Sequence, residues 1–181
     1  MEKKQILIID NSGLSFTGED INGPSLRGTE TSLILLSEEF AKKKFEVFFA
    51  TRTNQEKKIN GVHYINVNNI KKETTFDLAI AVSNANLFNN IKSLKKAVFS
   101  VSNQSLEKFI RKKQFISTYT HKPVIVTLCN YQFKKRSFLT SPFGKLTIPI
   151  TVDRQFIDEE VNVSFVPPKK AIYNIRSNRN L

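Results

Sequence analysis

The spacing of apolar positions changes several times along the chain, and each change marks an element. Gln5 to Asp10, QILIID, is a continuous apolar run ending in a polar residue, the pattern of a parallel strand buried on both faces. A long loop, Asn11 to Arg27, follows. Leu33, Leu36 and Phe40, flanked by Ile34 and Ala41, then recur at steps of three and four, which predicts an amphipathic helix from about Thr29 to Lys44. FEVFFAT (45–51) reads as a second strand, completing a β-loop-α-β unit. A parallel crossover of this kind is right-handed. It sets its long loop at the carboxyl end of the first strand, where open α/β sheets bind ligands.

The alternation continues. After the polar spacer RTNQEKKIN, GVHYINV (61–67) is a third strand, FDLAIAVS (76–83) a fourth, and AVFSVSNQ (97–104) a fifth, entered from a helix-like LFNNIKSLKK. A helix over SLEKFIRKKQF precedes a sixth strand, KPVIVTLCN (122–130), and a short basic helix around YQFKKRSF leads to KLTIPITVD. Strands and helices alternating through 181 residues predict an α/β fold: a Rossmann-like, doubly wound, mostly parallel sheet with helices on both faces, in three α/β/α layers. Near the carboxyl terminus VNVSFVPPKK carries the extended pair Pro167–Pro168, a linker signal, and AIYNIRSNRNL opens a new strand. The expected division is a domain over 1–160 and, over 161–181, a linker with the first strand of a second domain that the chain does not contain.

A hydrophobic fraction of 40% with 15 Phe suits a packed core. No run reaches the roughly 18–20 apolar residues of a membrane span. The first apolar run stops at Asp10, too short for a secretory leader. The single cysteine, Cys129, excludes an internal disulfide and a cysteine-cluster zinc site, which suits a reducing cytoplasm; with only two His, no metal site is expected. Lys and Arg total 28 against 16 Asp and Glu, a net charge of +12 that attracts polyanions or an anionic membrane face. The basic groups are scattered through AKKK, NIKK, SLKK, IRKK and QFKKR without a nucleic-acid motif, so solvated faces are the favoured reading and nucleic acid is disfavoured as a partner. There is no P-loop, and IIDNSGLSFTG lacks the G-x-G-x-x-G spacing, which argues against a P-loop nucleotidase and a dinucleotide oxidoreductase.

Four neighbours stand out at the mouth of the first helix: Arg27, Gly28, Thr29 and Glu30. One reading is helix initiation, with Thr29 capping free N–H groups and Glu30 favoured by the helix dipole. The other is a ligand loop, in which Gly28 lets backbone approach a phosphate and the free N–H groups favour an anion. Ser83, Asn84 and Asn86, then Asn103 and Gln104, then Asn130 and Tyr131, fall at successive strand ends, where their amides and hydroxyls either cap turns or hydrogen-bond a ligand's hydroxyls. Lys134, Lys135 and Arg136 line a solvated helix face or touch an anionic ligand or lipid headgroup. His63 and His121 read as structural, and Cys129 as buried packing.

In their order along the chain these segments resemble the amino-terminal, acceptor-side domain of GT-B glycosyltransferases, especially the retaining group 1, family 4-like enzymes. RGTETSLILLSEEFAKKKFEV matches that family's Gly loop, helix and entry to the second strand, with Lys44 and Phe45 where Gly-His is usual. NGVHYINV and FDLAIAVS are similar to its next two strands. KLTIPITVDRQF resembles the exit from its first domain, keeping Ile148, Pro149, Val152, Asp153 and Phe156 but placing Ile150 and Thr151 where Asn-Gly is usual. The resemblance implies transfer of a sugar, with retained configuration, from a nucleotide-sugar donor to a glycan, lipid or other acceptor. It implies no tightly bound cofactor. The donor would sit mainly on a second, carboxyl-terminal domain, without which this one would be inactive; the loop Arg27–Glu30 would face the donor diphosphate, and Ser83, Asn84, Asn103, Gln104 and Asn130 the sugar or lipid-linked acceptor. Such a protein would be cytoplasmic, with peripheral contact at an anionic inner membrane face. The alternative from another class is a non-enzymatic basic α/β module that binds nucleic acid or an anionic membrane.

Overall fold

The computed structural model describes residues 3–148, apart from 24, 25, 72 and 102–105. The linker and second-domain strand expected beyond residue 160 lie outside these, as do Pro149 and the residues after it. The run QILII forms β1 (Gln5–Ile9), followed by α1 (Gly28–Lys42) and β2 (Glu46–Thr51). A short β3 (Lys57–Ile59) turns back into β4 (Val62–Asn66); then come β5 (Thr75–Val82) and β6 (Lys92–Ser100). The helices α2 (Leu106–Arg111) and α3 (Gln114–His121) precede β7 (Val124–Thr127), and α4 (Asn130–Lys135) precedes β8 (Lys145–Thr147).

The eight strands make one sheet in the order β3-β4-β2-β1-β5-β6-β7-β8, parallel throughout except for the β3–β4 pair. The α/β fold read from the sequence is therefore present. Strand alternation divides the core between the two faces. Ile6 and Ile8 of β1, Val47 and Phe49 of β2 and Ile80 of β5 pack against Leu33 and Ile34 of α1. On the other face Ala79, Ala81, Val98 and Ile125 pack with Ala85 and Phe88, while Leu7, Ile9, Ala50 and Phe76 form a further cluster. Helix α3 packs over the segment that carries Ala85 and Phe88.

Three local readings are corrected. LFNNIKSLKK is not helical: a 3-10 turn spans Ala85–Phe88, and β6 starts at Lys92, because the first half of β5 needs a partner and Thr75 and Phe76 pair with Lys92 and Ser93. The helix expected over SLEKFIRKKQF is two helices, broken where Lys113 takes φ 52°. The polar spacer hides β3, turned by Asn60 and Gly61, whose φ values of 48° and 84° suit a two-residue hairpin. The Asn-Gly pair was the signal for it.

Helix α1 closes with a Schellman motif. Phe45 N donates to Phe40 O, Lys44 N donates to Ala41 O, and the Phe40 and Phe45 rings meet edge-on at 6.0 Å. Lys44 takes the left-handed position of this motif, φ 66°, at the place where the resembled family has Gly. A Cβ there costs about 1 kcal/mol. Lys44→Gly should accordingly raise the melting temperature by about 2–4 °C, read by thermal denaturation.

Both histidines are packed side chains. His63 stacks on Phe48 at 5.1 Å, and burial, then the nearby Lys58, push its pKa below the ordinary 6.5 despite Glu46. His121 meets Phe88 edge-on and lies 3.1 Å from Asn89 Oδ1 through Nε2; burial and then Lys96 lower its pKa too. With folded values below the unfolded one, the unfolded chain binds more protons once pH drops to about 6.5, so both groups withdraw stability as pH falls below that value. Urea denaturation should show falling stability from about pH 7.5 to about pH 5.5, and a His63→Gln, His121→Gln double variant should show a shallower slope.

Candidate functional site at the carboxyl edge of the sheet

Outward from β1 the crossovers run in opposite directions, to β2 on one side and β5 on the other, so the carboxyl ends of β1 and β5 flank a topological switch point. Asp10 follows β1 there. Its Oδ1 accepts from Ser12 N at 2.7 Å, while Oδ2 is buried without a hydrogen-bond partner among the described residues.

The loop from Asp10 to α1 is pinned at its middle. Phe16 is 2% exposed and meets Phe49 edge-on at 5.5 Å, and its carbonyl accepts from Thr51 Oγ1 at 2.9 Å. Burying a Phe contributes roughly 1.5–3 kcal/mol, enough to anchor a loop. Thr17 and Asp20 then form a reciprocal capping box around the 3-10 turn Gly18–Asn22. Between this turn and the β2–β3 connection lies a cleft of about 310 Å³, lined by Ser15, Phe16, Thr17, Glu19 and Asp20 on one side and Thr53, Asn54, Gln55 and Lys57 on the other. Lys57 Nζ and Glu19 Oε2 bridge the two sides at 3.0 Å. Both side chains are substantially exposed, so this ion pair is worth at most about 1 kcal/mol and does not seal the cleft. Hydroxyls, amides and carboxylates dominate the lining, a set suited to a hydroxyl-rich ligand.

The predicted loop at the mouth of α1 departs from the capping reading. The N-cap is Arg27, not Thr29, and its side chain makes no capping bond. The hydroxyls of Thr31 and Ser32 bond back to the carbonyls of Arg27 and Gly28, and among the described residues no side chain caps the first N–H groups of α1. Arg27 Nε lies 3.7 Å from Glu30 Oε1; Glu30 is 2% exposed, with Oε2 unpartnered among the described residues. Gly28 is exposed, and a Cβ built on it would meet nothing within 4 Å. The fold therefore makes no steric demand for glycine at this position.

The other predicted residues are spread along the same edge. Ser83, with φ 58°, donates its N–H to Phe99 O and accepts from Val101 N, tying the ends of β5 and β6. Asn84 caps the next turn through Asn86 N, and Asn86 Nδ2 donates to Lys112 O. Asn103 and Gln104 lie outside the described residues. Asn130 begins α4 and is exposed, as is Tyr131. Cys129 is exposed rather than buried, because β7 ends at Thr127 and Cys129 is already the N-cap of α4 at the sheet edge. The basic triplet is split by the fold: Lys134 and Lys135 are exposed, whereas Arg136 turns inward and its Nη1 donates to Ser100 Oγ at 2.6 Å. Burial lowers the pKa of that guanidinium, and its Nε has no partner among the described residues.

The chain matches no protein-family model, no curated protein and no solved structure. Sequence reasoning missed Asp10, the inward turn of Arg136, and all nine residues of the cleft. Thr17 and Asp20 had a signal, a Thr three residues before an Asp ahead of a turn. Among the described residues no group of three His, Cys, Asp or Glu is placed to hold a metal, and no helix is long and apolar enough to cross a membrane.

The cleft depends on Gly18. A Cβ there would lie 2.9 Å from Tyr64 Oη and 3.2 Å from Ile59 Cγ2, and Tyr64 is fully buried. Gly18→Ala should destabilise the protein by about 1–3 kcal/mol, measured by urea denaturation, because the fully buried Tyr64 has no room to withdraw.

Proposed function

We propose that this chain is the acceptor-side domain of a GT-B-type retaining glycosyltransferase, with its ligand edge at the carboxyl ends of β1, β2 and β5. The observation that carries the reading is the coincidence, next to the switch point, of a long pinned loop and the uncapped start of α1 with Gly28 facing open space. An anionic diphosphate is the group such N–H donors favour, and Arg27 adds positive charge beside them. The polar cleft between the Gly18–Asn22 turn and Lys57 offers hydroxyls, amides and carboxylates to an acceptor sugar. In the reaction, the bond from the anomeric carbon to the donor's diphosphate oxygen breaks, a bond from that carbon to an acceptor oxygen forms, and the acceptor's hydroxyl proton passes to the departing diphosphate. N–H dipoles held at the start of α1 would stabilise the charge growing on the leaving diphosphate. The other contacts to the nucleotide belong to a second domain of the kind the resemblance implies. The reading includes a cytoplasmic protein with peripheral contact to an anionic membrane face.

An amide-resolved NMR titration with uridine, guanosine and adenosine diphosphates and their sugar conjugates tests this. At least one of them should shift the Gly28, Thr29 and Glu30 amides. Gly28→Ala should leave stability unchanged or raise it by up to about 1 kcal/mol, yet weaken that ligand by about tenfold or more, roughly 1.4 kcal/mol. Absence of any shift along this edge, together with steeply salt-dependent binding of RNA or DNA, would replace the reading with that of a nucleic-acid-binding module.

A further inference from the structure

Among the described residues, charge imbalance and exposed apolar surface fall in the same stretch of the chain. Residues 1–77 hold eleven Lys or Arg and eleven Asp or Glu, whereas residues 78–152 hold twelve Lys or Arg against a single acid, Glu107. Strands β6 to β8, which lie wholly within the second stretch, are consecutive neighbours in the sheet, so the bias along the chain is also a bias in space. All ten large hydrophobic side chains exposed among the described residues lie in the same stretch, between Leu94 and Ile148.

Helix α3 brings the two properties together because it is inside out. It buries Gln114, Ser117 and Thr118 and exposes Phe115, Ile116 and Tyr119 at 42%, 53% and 45%. The polar side is the docked one: Ser117 Oγ donates to Asn89 Oδ1 at 2.9 Å, and the His121 ring rests against Phe88. Rolling α3 to bury its apolar stripe would break these contacts. Ile110, at the end of α2, is 54% exposed, and the corner between the helices presents Arg111, Lys112 and Lys113 to solvent. Lys122 closes the stretch with its Nζ 6.0 Å from the centre of the Phe143 ring, which also meets Tyr119.

We infer that the α2–α3 corner is a docking surface for an anionic lipid bilayer, in which Phe115, Ile116 and Tyr119 enter the boundary between headgroups and acyl chains while the surrounding Lys and Arg side chains face lipid phosphates. A polyanion in water answers only half of this surface. Ile110 and Ile116 have no ring to stack on a base, and a phosphate backbone would leave them hydrated, whereas a bilayer takes up the apolar stripe and the cations together. The inference gives the proposed membrane contact a definite surface. It uses none of the residues invoked for sugar transfer and stands independently of that activity.

Vesicle flotation of the full chain, without any sugar nucleotide, tests it. Vesicles of phosphatidylcholine with about a third phosphatidylglycerol should bind the protein, pure phosphatidylcholine should not, and salt should weaken binding. Phe115→Ser with Ile116→Ser should lower partitioning about tenfold or more, and Lys112→Glu with Lys113→Glu at least as much. The chain has no Trp, so Tyr119→Trp in the otherwise native protein supplies a single reporter whose emission should shift to the blue on anionic vesicles. That readout does not depend on the folding of the double variants. Three results overturn the proposal: no binding to anionic vesicles; binding that ignores Phe115→Ser with Ile116→Ser and leaves the indole emission unshifted; or competition by RNA that strips the protein from vesicles at equal phosphate concentration.

Discussion

Everything in this fold is arranged around a five-residue strand whose backbone is paired along both edges. β1 takes β2 on one side and β5 on the other, in register from Ile6 to Ile9, and Leu7, Ile8 and Ile9 are at most 1% exposed. A strand buried that deeply has no water for its N–H and C=O groups, so the two parallel ladders are a condition of its burial rather than an addition to it. Its ends are fastened as well. Gln5 N donates to Asp77 Oδ2 at 2.7 Å, and Asp10 N donates to Ala50 O at 2.9 Å. Because the neighbours on either side are reached by crossovers in opposite directions, the chain leaving β1 has to emerge at the switch point.

That constraint governs the loop that follows. On its way to α1 it covers the carboxyl ends of β1 and β2, held by Phe16 against Phe49 and by the Thr17–Asp20 capping box. The polar cleft is the space left between this pinned loop and the β2–β3 connection, while Gly18 of the loop sits close against Tyr64 of β4. Arg52 Nε, donating to Asn11 Oδ1 at 2.7 Å, links the same two segments. The start of α1 lies beyond the pinned turn and has no side-chain cap among the described residues, so its first N–H dipoles stay available.

The two halves of the sheet meet solvent differently. On the β1–β4 side charges balance and every large hydrophobic side chain that is described lies at least partly covered; on the β5–β8 side cations and exposed hydrophobics accumulate together. This is not a shortage of polar residues, since α3 has them and buries them. Placing Ser117 against Asn89 and leaving Ile116 in water is a poor exchange for a monomer in solution, and becomes a favourable one once an apolar phase covers the stripe.

The order of elements and the parallel α/β class were legible because they rest on period. Continuous apolar runs such as QILII and a three- and four-residue repeat such as Leu33–Leu36–Phe40 state which residues must leave water, whatever they pack against. The position of the long loop at the mouth of α1 followed from the same reasoning. What the sequence could not decide was anything set by a partner distant along the chain. LFNNIKSLKK yielded a strand because β5 required one; Lys134, Lys135 and Arg136 look alike in a row, yet only Arg136 turns inward to Ser100, 36 residues away. Nine cleft residues from two separate connections shared no local signature, and α3 carries the periodicity of an ordinary amphipathic helix while facing the opposite way. Periodicity reports how many faces an element has. Only tertiary packing, through the hydrogen bonds and volumes available on each side, chooses which face is buried.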